Sequence, residues 1–309
     1  MRAILKKAAL FLIVNTALYA LYYAAAESRY RPQDPGRTGH VLYFFPKNEP
    51  ADLVFTGSSH GQVFRTSGNQ ARVEKILNRK IVNLSVGGSG AVTANMMLDY
   101  YFGQKNKTKT VVMLVDFFGL QVVHNNEGNP AFRHEPLRLS ILPYMFRHRL
   151  DFGEILGYFT GKVSRYYWDR RIFKEEDTQY LKMLDLTEVK QRVAGIYRAG
   201  LSRKRFERYT KILEEAISRA RANDAEVVIV LPPATFQVAP KTAEGTSDWL
   251  IEYLNDLKKR ENVSFHDCRA ALQNLRYFYD TDHLNTPGVV HFTQNHLRPI
   301  LDGRPACSR

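Results

Sequence analysis

Three runs in this chain of 309 residues are apolar without alternation: "ADLVFTG" (51–57), "TVVMLVDF" (110–117) and "AEVVIVLPP" (225–233). A strand with one wet face alternates polar and apolar side chains, so an unbroken apolar run reads as a strand buried on both faces. "KIVNLSV" (80–86) reads as another strand and "NVSFHDC" (262–268) as a fifth, shorter one. Helical patterns lie between them. "QARVEKILNR" (70–79) sets Val73, Ile76 and Leu77 at helical spacing, and "FERYTKILEEAISRARAND" (206–224) carries a stripe through Tyr209, Ile212, Leu213 and Ile217. "AVTANMMLDYYF" (91–102) and "TSDWLIEYLNDLKKR" (246–260) are two more. This alternation predicts an α/β fold: a three-layer sandwich with a central parallel sheet covered by helices on both faces. Ligands of such sheets bind beyond the carboxyl ends of the strands. The region from about 132 to 205 breaks the alternation. Its "LRLSILPYMFRHRLDFGEILGYFTGKVSRYYWDRRIFK" is aromatic, basic and helical in pattern. It reads as an insertion that packs on the core, lines a substrate groove, or meets the membrane or a membrane partner.

The N-terminus bears on the compartment. Arg2, Lys6 and Lys7 precede a stretch, Ala8 to Ala26, that contains no charge. That is about the length a helix needs to cross a ~30 Å hydrocarbon core. Tyr19, Tyr22 and Tyr23 gather at its far end, where interfacial aromatics are common, and the basic flank assigns the N-terminus to the cytoplasm. Residues 1–26 are therefore expected to be a single transmembrane anchor, 27–49 a tether rich in turn residues, and 50–309 an exported domain, periplasmic or otherwise extracytoplasmic. Ala24-Ala25-Ala26 also suits a signal peptidase, so a cleaved leader is the competing reading.

The net charge is +13, with much of it in 144–174 and 202–221. No helix-turn-helix, RNA-binding or zinc-finger pattern accompanies it, so no nucleic-acid partner is expected. Solvated helix faces account for most of these cations. Cys268 and Cys307 form neither a disulfide framework nor a metal-site spacing. In an oxidising compartment they could pair and tie down the tail; otherwise Cys268 is half-buried and Cys307 a free thiol. His266 and Asp267 are neighbours in a strand and do not suggest a metal. No metal or other cofactor is expected.

The chemistry concentrates at two strand ends. Serine-dependent acyl transfer needs an imidazole base, a carboxylate to hold it, and backbone N–H groups aimed at the oxyanion. Ser59, in "FTGSSH" (55–60), stands at a strand-to-helix junction. Asp280 and His283, in "DTDHLNTPG" (280–288), are spaced D-x-x-H in a loop before a helix. One short loop can aim that imidazole at the serine while Asp280 reaches its Nδ1. Asp282 competes for that role, although direct neighbours on a backbone tend to point apart. His60 reads as a solvated first-turn residue, and Asp116 as a structural hydrogen-bonding carboxylate.

These blocks resemble the SGNH/GDSL hydrolase superfamily, in family order over residues 50–300. "FTGSSH" stands where the family has G-D-S, "NLSVGGSGA" (83–91) is similar to its N-x-x-x-x-G block, and "DTDHLNTPG" to its last block. "VVIVLPPAT" (227–235) resembles the strand before the family's substrate loop. The resemblance implies a sandwich of the SGNH, flavodoxin-like kind. It implies Ser59 as nucleophile, His283 as base, Asp280 as its partner, and the amides of Ser59 and Gly88 as the oxyanion hole. Two departures stand out. Ser58 occupies the place of the family's aspartate, and the G-x-N-D block is replaced by "VDFFGLQ" (115–121). No position matches its oxyanion-hole asparagine; Asn125 and Asn126 are near, but no spacing selects either.

Membrane-anchored members of cell-envelope acylation, such as those similar to the teichoic-acid D-alanylation and alginate acetylation proteins, depart from the blocks in similar ways. That resemblance implies acyl transfer, of an acetyl group, to or from an envelope or extracellular polysaccharide, beside a membrane-bound O-acyltransferase. The alternative is a non-catalytic SGNH-like partner that binds polymer or scaffolds the membrane complex.

Overall fold

In a computed structural model of the chain, residues 1–30, 39–123, 126–127, 131–133, 135–172, 187, 191, 202–235, 247–261 and 263–307 are described, and the structural statements below concern these. All five segments become strands of one sheet. They are β1 (Pro50–Gly57), β2 (Ile81–Asn83), β3 (Lys107–Leu114), β4 (Glu226–Leu231) and β5 (Ser264–Asp267). The order is β2-β1-β3-β4-β5 and every pairing is parallel. The chain steps outward from β1 to β2 and then returns across β1 to β3. The switch point of the sheet therefore lies between β1 and β3, where Gly57 pairs with Leu114.

Alternate strand residues feed two separate cores, which is why the strand runs lack polar alternation. Val54, Val111, Met113, Ile229 and Leu231 face one core, and Leu53, Phe55, Val112, Leu114 and Val230 face the other. Helices complete the three layers. They are α1 (Arg2–Tyr30), α2 (Ser59–Gln62), α3 (Asn69–Leu77), α4 (Ala91–Gly103), α5 (Leu142–Arg147), α6 (Phe152–Ile172), α7 (Arg203–Arg221), α8 (Ser247–Glu261), α9 (Thr286–Phe292) and α10 (Arg298–Leu301). Met96 and Leu98 of α4, Leu213 and Ile217 of α7, and Leu254 of α8 fill the first core. Val73 and Leu77 of α3 and Val289 and Phe292 of α9 fill the second.

Three features go beyond the sequence reading. First, the stretch expected to be a tether ends inside the domain. Val41, Leu42, Tyr43 and Phe45 are buried, and the Glu135 carboxylate accepts from the N–H groups of Val41 and Leu42 at 2.8 Å each. Second, the insertion begins with α5 and α6. It is clamped to α4 through Asp99, which accepts from Arg147 (2.9 Å) and lies 2.9 Å from His148 Nε2, while Arg219 of α7 donates to it at 2.6 Å. The rest of the insertion up to 201 lies outside the described residues except for 187 and 191. Third, Cys268, fully buried just after β5, is bonded to Cys307. The bond closes a loop of 39 positions that contains both Asp280 and His283.

Candidate active site

β1 can end in a serine turn because a glycine stands before it. A Cβ on Gly57 would lie 2.5 Å from the Leu114 carbonyl oxygen, and the residue has φ +156°. Only glycine lets β1 and β3 stay this close while the chain leaves the sheet. Ser58 and Ser59 follow, and α2 opens at once. The asparagine of the second block locks that turn. Asn83 Nδ2 donates to the Gly61 carbonyl at 2.8 Å and Asn83 Oδ1 accepts from Ser85 N at 2.9 Å. The end of β2 thus holds α2 in place, a role the sequence pattern contained but did not explain.

The D-x-x-H spacing has an equally local cause. Asp280 Oδ1 accepts from the backbone N–H groups of Asp282 (3.0 Å) and His283 (2.8 Å), curling the loop round its own carboxylate. The same carboxylate then lies 2.8 Å (Oδ2) and 3.0 Å (Oδ1) from His283 Nδ1. Residues 278–284 close as a hairpin, with Tyr279 N donating to His283 O at 3.1 Å. Thr235, beyond β4, donates to the Thr281 carbonyl at 2.8 Å and ties the loop to the sheet. Across the site, His283 Nε2 lies 2.7 Å from Ser59 Oγ, 224 positions earlier in the chain. The three residues picked out in the sequence thus form one hydrogen-bonded row: Asp280, His283, Ser59.

His60 corrects the sequence expectation. It is not solvated; only 8% of it is exposed. Its Nδ1 lies 3.2 Å from Asp116 Oδ2 and its Nε2 3.4 Å from Asp282 Oδ2. Its ring stacks on that of His283, centroids 4.8 Å apart and planes 20° from parallel, and Tyr279 stacks on the other face of His283 at 5.4 Å. The expectation failed because α2 is four residues long and turns its second residue inward, toward β3. Burial alone favours neutral imidazole, but the hydrogen bonds and charges of Asp116 and Asp282 outweigh it and raise the His60 pKa to about 10.

Asp116 is a hydrogen-bonding carboxylate, as expected. It accepts from Ser58 Oγ at 2.5 Å and from Gly119 N at 2.6 Å. Burial pushes its carboxyl up, but His60, Ser58 and Gly119 together hold it below the ordinary value. Asp282 does not point away from His283; it is shared between the two histidines. One oxygen faces His60 and the other lies 3.4 Å from His283 Nδ1, farther than Asp280.

The oxyanion side is less furnished. Gly88 lies in the exposed turn after β2 with φ +69°, a left-handed conformation that suits glycine. Asn126 does not replace the missing asparagine. Its Nδ2 donates to the carbonyls of Gly119 and Val122 at 3.0 Å each, and its Oδ1 accepts from Val92 N at 3.2 Å. The side chain is spent on holding the loop after β3 to the start of α4. Asn125 lies outside the described residues.

Two hollows adjoin the site through Asp116. One is a small hollow walled by small residues, among them Gly57, Ser58, Gly90, Ala91 and Gly119. The other opens at the carboxyl ends of β3 and β4 between Phe117, Phe118, Pro232, Pro233 and Arg269, with His60 and Asp282 in its wall. His60, Asp282 and His283 bring ligand-type atoms within 4.8 Å of one another. Every ring nitrogen in that trio already faces a carboxylate or Ser59, so a cation would have to displace those contacts. His266 is engaged elsewhere, 2.6 Å from Ser264 Oγ, and Asp267 pairs with Arg269 at 2.7 Å.

No known protein family's pattern matches the chain, and no curated protein matches it. Among solved structures it is similar to a protein named "putative acylhydrolase" from Bacteroides fragilis. The two are 11% identical, the match covers 84% of this chain and 89% of that one, and the TM-score is 0.42. A likeness this distant carries no argument about the site, which stands on its own geometry.

Proposed function

We propose that this chain is a membrane-anchored, extracytoplasmic serine acyltransferase or esterase of the SGNH type, acting on the acyl groups of an envelope or extracellular polysaccharide. The observation that carries the reading is the unbroken row from Asp280 through His283 to Ser59 Oγ at the carboxyl ends of the strands. α1, whose segment Arg2–Ala25 is long and apolar enough to cross a membrane, supports the anchor.

In this reading Ser59 Oγ attacks the acyl carbonyl of a donor ester and His283 Nε2 takes its proton. Asp280 keeps the other proton on Nδ1 and stabilises the imidazolium that forms. The amides of Ser59 and Gly88 receive the oxyanion. Collapse expels the donor alcohol, which leaves with the proton from His283, and the acyl group stays on Ser59. A sugar hydroxyl then gives its proton to His283 and attacks the acyl-serine. Ser59 recovers a proton as the acylated sugar departs. Water in place of the sugar makes the same cycle an esterase. The acyl group is acetyl, and a membrane-bound O-acyltransferase is the partner that supplies it.

One observation favours a second reading. Asn126 is consumed by backbone contacts, so it does not supply the side-chain amide that the family pattern places in the oxyanion hole. A non-catalytic SGNH-like partner that binds polymer or scaffolds an acyltransferase complex has no need of one. The Ser59→Ala variant separates the two. Catalysis predicts loss of p-nitrophenyl acetate cleavage and of polymer acylation in cells. Unchanged polymer acylation in cells making a stable Ser59→Ala protein would sink the catalytic reading and leave the scaffold.

A further inference from the structure

The first turns of α6 are apolar on the outward face as well as the inward one. Its inward face carries Ile155, Tyr158 and Lys162, all buried, and the Lys162 ammonium donates to the carbonyls of Phe132 (3.3 Å) and Glu135 (2.6 Å). Its outward face carries Phe152, Leu156 and Phe159 at i, i+4 and i+7, with Phe152 74% exposed. A surface helix ordinarily places its apolar stripe inward and its charges outward. Glu154, the acidic residue of the first turn, is partly withdrawn from water, and burial together with nearby Asp151 pushes its carboxyl up to about 7. Leu139 and Phe146, on the segment leading into α6, extend the exposed apolar area, flanked by exposed Arg147 and Arg149. Large exposed apolar side chains gathered on one helix and the segment before it mark an interaction site rather than an ordinary wet face.

The hydrogen bonds of α1 say what covers it. Tyr19 Oη donates to the Phe159 carbonyl at 2.9 Å, and Leu137 N donates to Tyr23 Oη at 2.8 Å. If Lys7 marks the cytoplasmic edge of the bilayer, Tyr19 lies twelve residues on, about 18 Å along the helix and short of a ~30 Å hydrocarbon core. Tyr23 is at about 24 Å by the same rise. The part of α6 bonded to Tyr19 cannot then stand clear of the membrane. We propose that the exposed face of α5 and α6, centred on Phe146, Phe152 and Leu156, is embedded in the outer leaflet of the bilayer that α1 crosses. Exposed Arg149, three residues from Phe146, meets anionic headgroups, as cations beside an interfacial apolar face do, while Arg147 stays with Asp99. The domain is thereby docked on the membrane at a fixed attitude instead of swinging on a tether. The proposal rests on the anchor reading of α1 and is independent of the serine chemistry.

The test uses the full chain in vesicles of phosphatidylcholine and phosphatidylglycerol. The native cysteines are paired, so an introduced cysteine can carry a nitroxide. Labels are placed singly by Phe152→Cys, Phe146→Cys, Ile13→Cys in the anchor and Lys258→Cys on exposed α8. Collision with oxygen, which concentrates in lipid, is compared with collision with a water-soluble nickel chelate. The expected result is an oxygen-to-nickel ratio at 146 and 152 several-fold above that at 258 and approaching that at 13. Ratios at 146 and 152 equal to that at 258, with 13 in lipid, would overturn the proposal and leave the anchor intact. A water-like ratio at 13 would remove the anchor reading and the proposal with it. Shielding at 152 seen in native membranes but not in lipid vesicles would assign the face to a protein partner, and also overturns it. The two patch positions are independent, so failure of one variant to fold leaves the other to decide.

Discussion

His283 and His60 lie face to face, 4.8 Å apart, in opposite environments. Nδ1 of His283 faces carboxylates, Asp280 closest and Asp282 farther off, and its Nε2 faces a hydroxyl. Both nitrogens of His60 face carboxylates, Asp116 and Asp282. A ring with a hydroxyl on one side can take and return a proton. A ring held between two anions stays an imidazolium and acts as a clamp. His60 joins three segments distant in sequence: the serine turn, the end of β3 and the D-x-x-H loop. In the proposed cycle, neighbours and not residue type make one histidine the base and leave the other a fixed cation.

The strongest way to break the comparison is to remove each member of the proposed catalytic row. Ser59→Ala and His283→Ala should each lower kcat/KM for p-nitrophenyl acetate by about 10⁴-fold or more, and the double variant should be no worse than either. Additive losses would show that the two do not act as a unit. Asp280→Asn should cost about 10³-fold, because the amide favours the wrong imidazole tautomer. Asp282→Asn, the near neighbour, should cost less than tenfold, by the order of one lost hydrogen bond. Equal losses at 280 and 282 would erase the distinction drawn between the two carboxylates.

His60→Gln reads out differently. It leaves Asp116 and Asp282 buried without their cation and should destabilise the domain by ~3 kcal/mol in urea unfolding. Its rate should fall about tenfold in kcat with KM unchanged, since removing one well-placed hydrogen bond to the positioning group costs about that much. A His60→Gln protein as stable as wild type would mean the clamp carries no load. The smallest effect is in pH. The folded pKa of His60, about 10, lies above its unfolded value near 6.5. Its stabilisation is therefore fully present below the unfolded value and declines as pH rises toward and through the folded one. The wild-type melting temperature should fall between pH 7 and 10, and the His60→Gln protein should lack that component of the slope.

What the sequence made legible follows from how local each cause is. The long strands were readable because their runs are apolar on both faces, a property of each segment alone; β5, Ser264–Asp267, has no buried residue and was the faintest of the five. The Asp280–His283 pair was readable because one carboxylate organises both the loop amides and the ring within four residues. His60 was not readable. Its partners come from β3 and from the C-terminal loop, and nothing in "GSSHG" says which way a four-residue helix turns its second side chain. Asp282 was ranked behind Asp280 as a partner for His283, and its second contact, His60, is more than 200 positions away. Asn83 sat in plain view as the first letter of a block, but its hold on Gly61 needs β2 beside β1. The cysteine pair could not be decided from spacing, because closing it requires the last residues to return to the end of β5.

That closure makes the protein a record of where it matured. The bond from Cys268 to Cys307 can form only after Cys307 has been synthesised and has come back to the second core. It persists in oxidising compartments and is kept reduced in the cytosol. A chain taken from cells, denatured and alkylated without reductant therefore reports its own topology in its mass. It takes up no alkyl group if the domain folded outside the cytoplasm, and two if it never left.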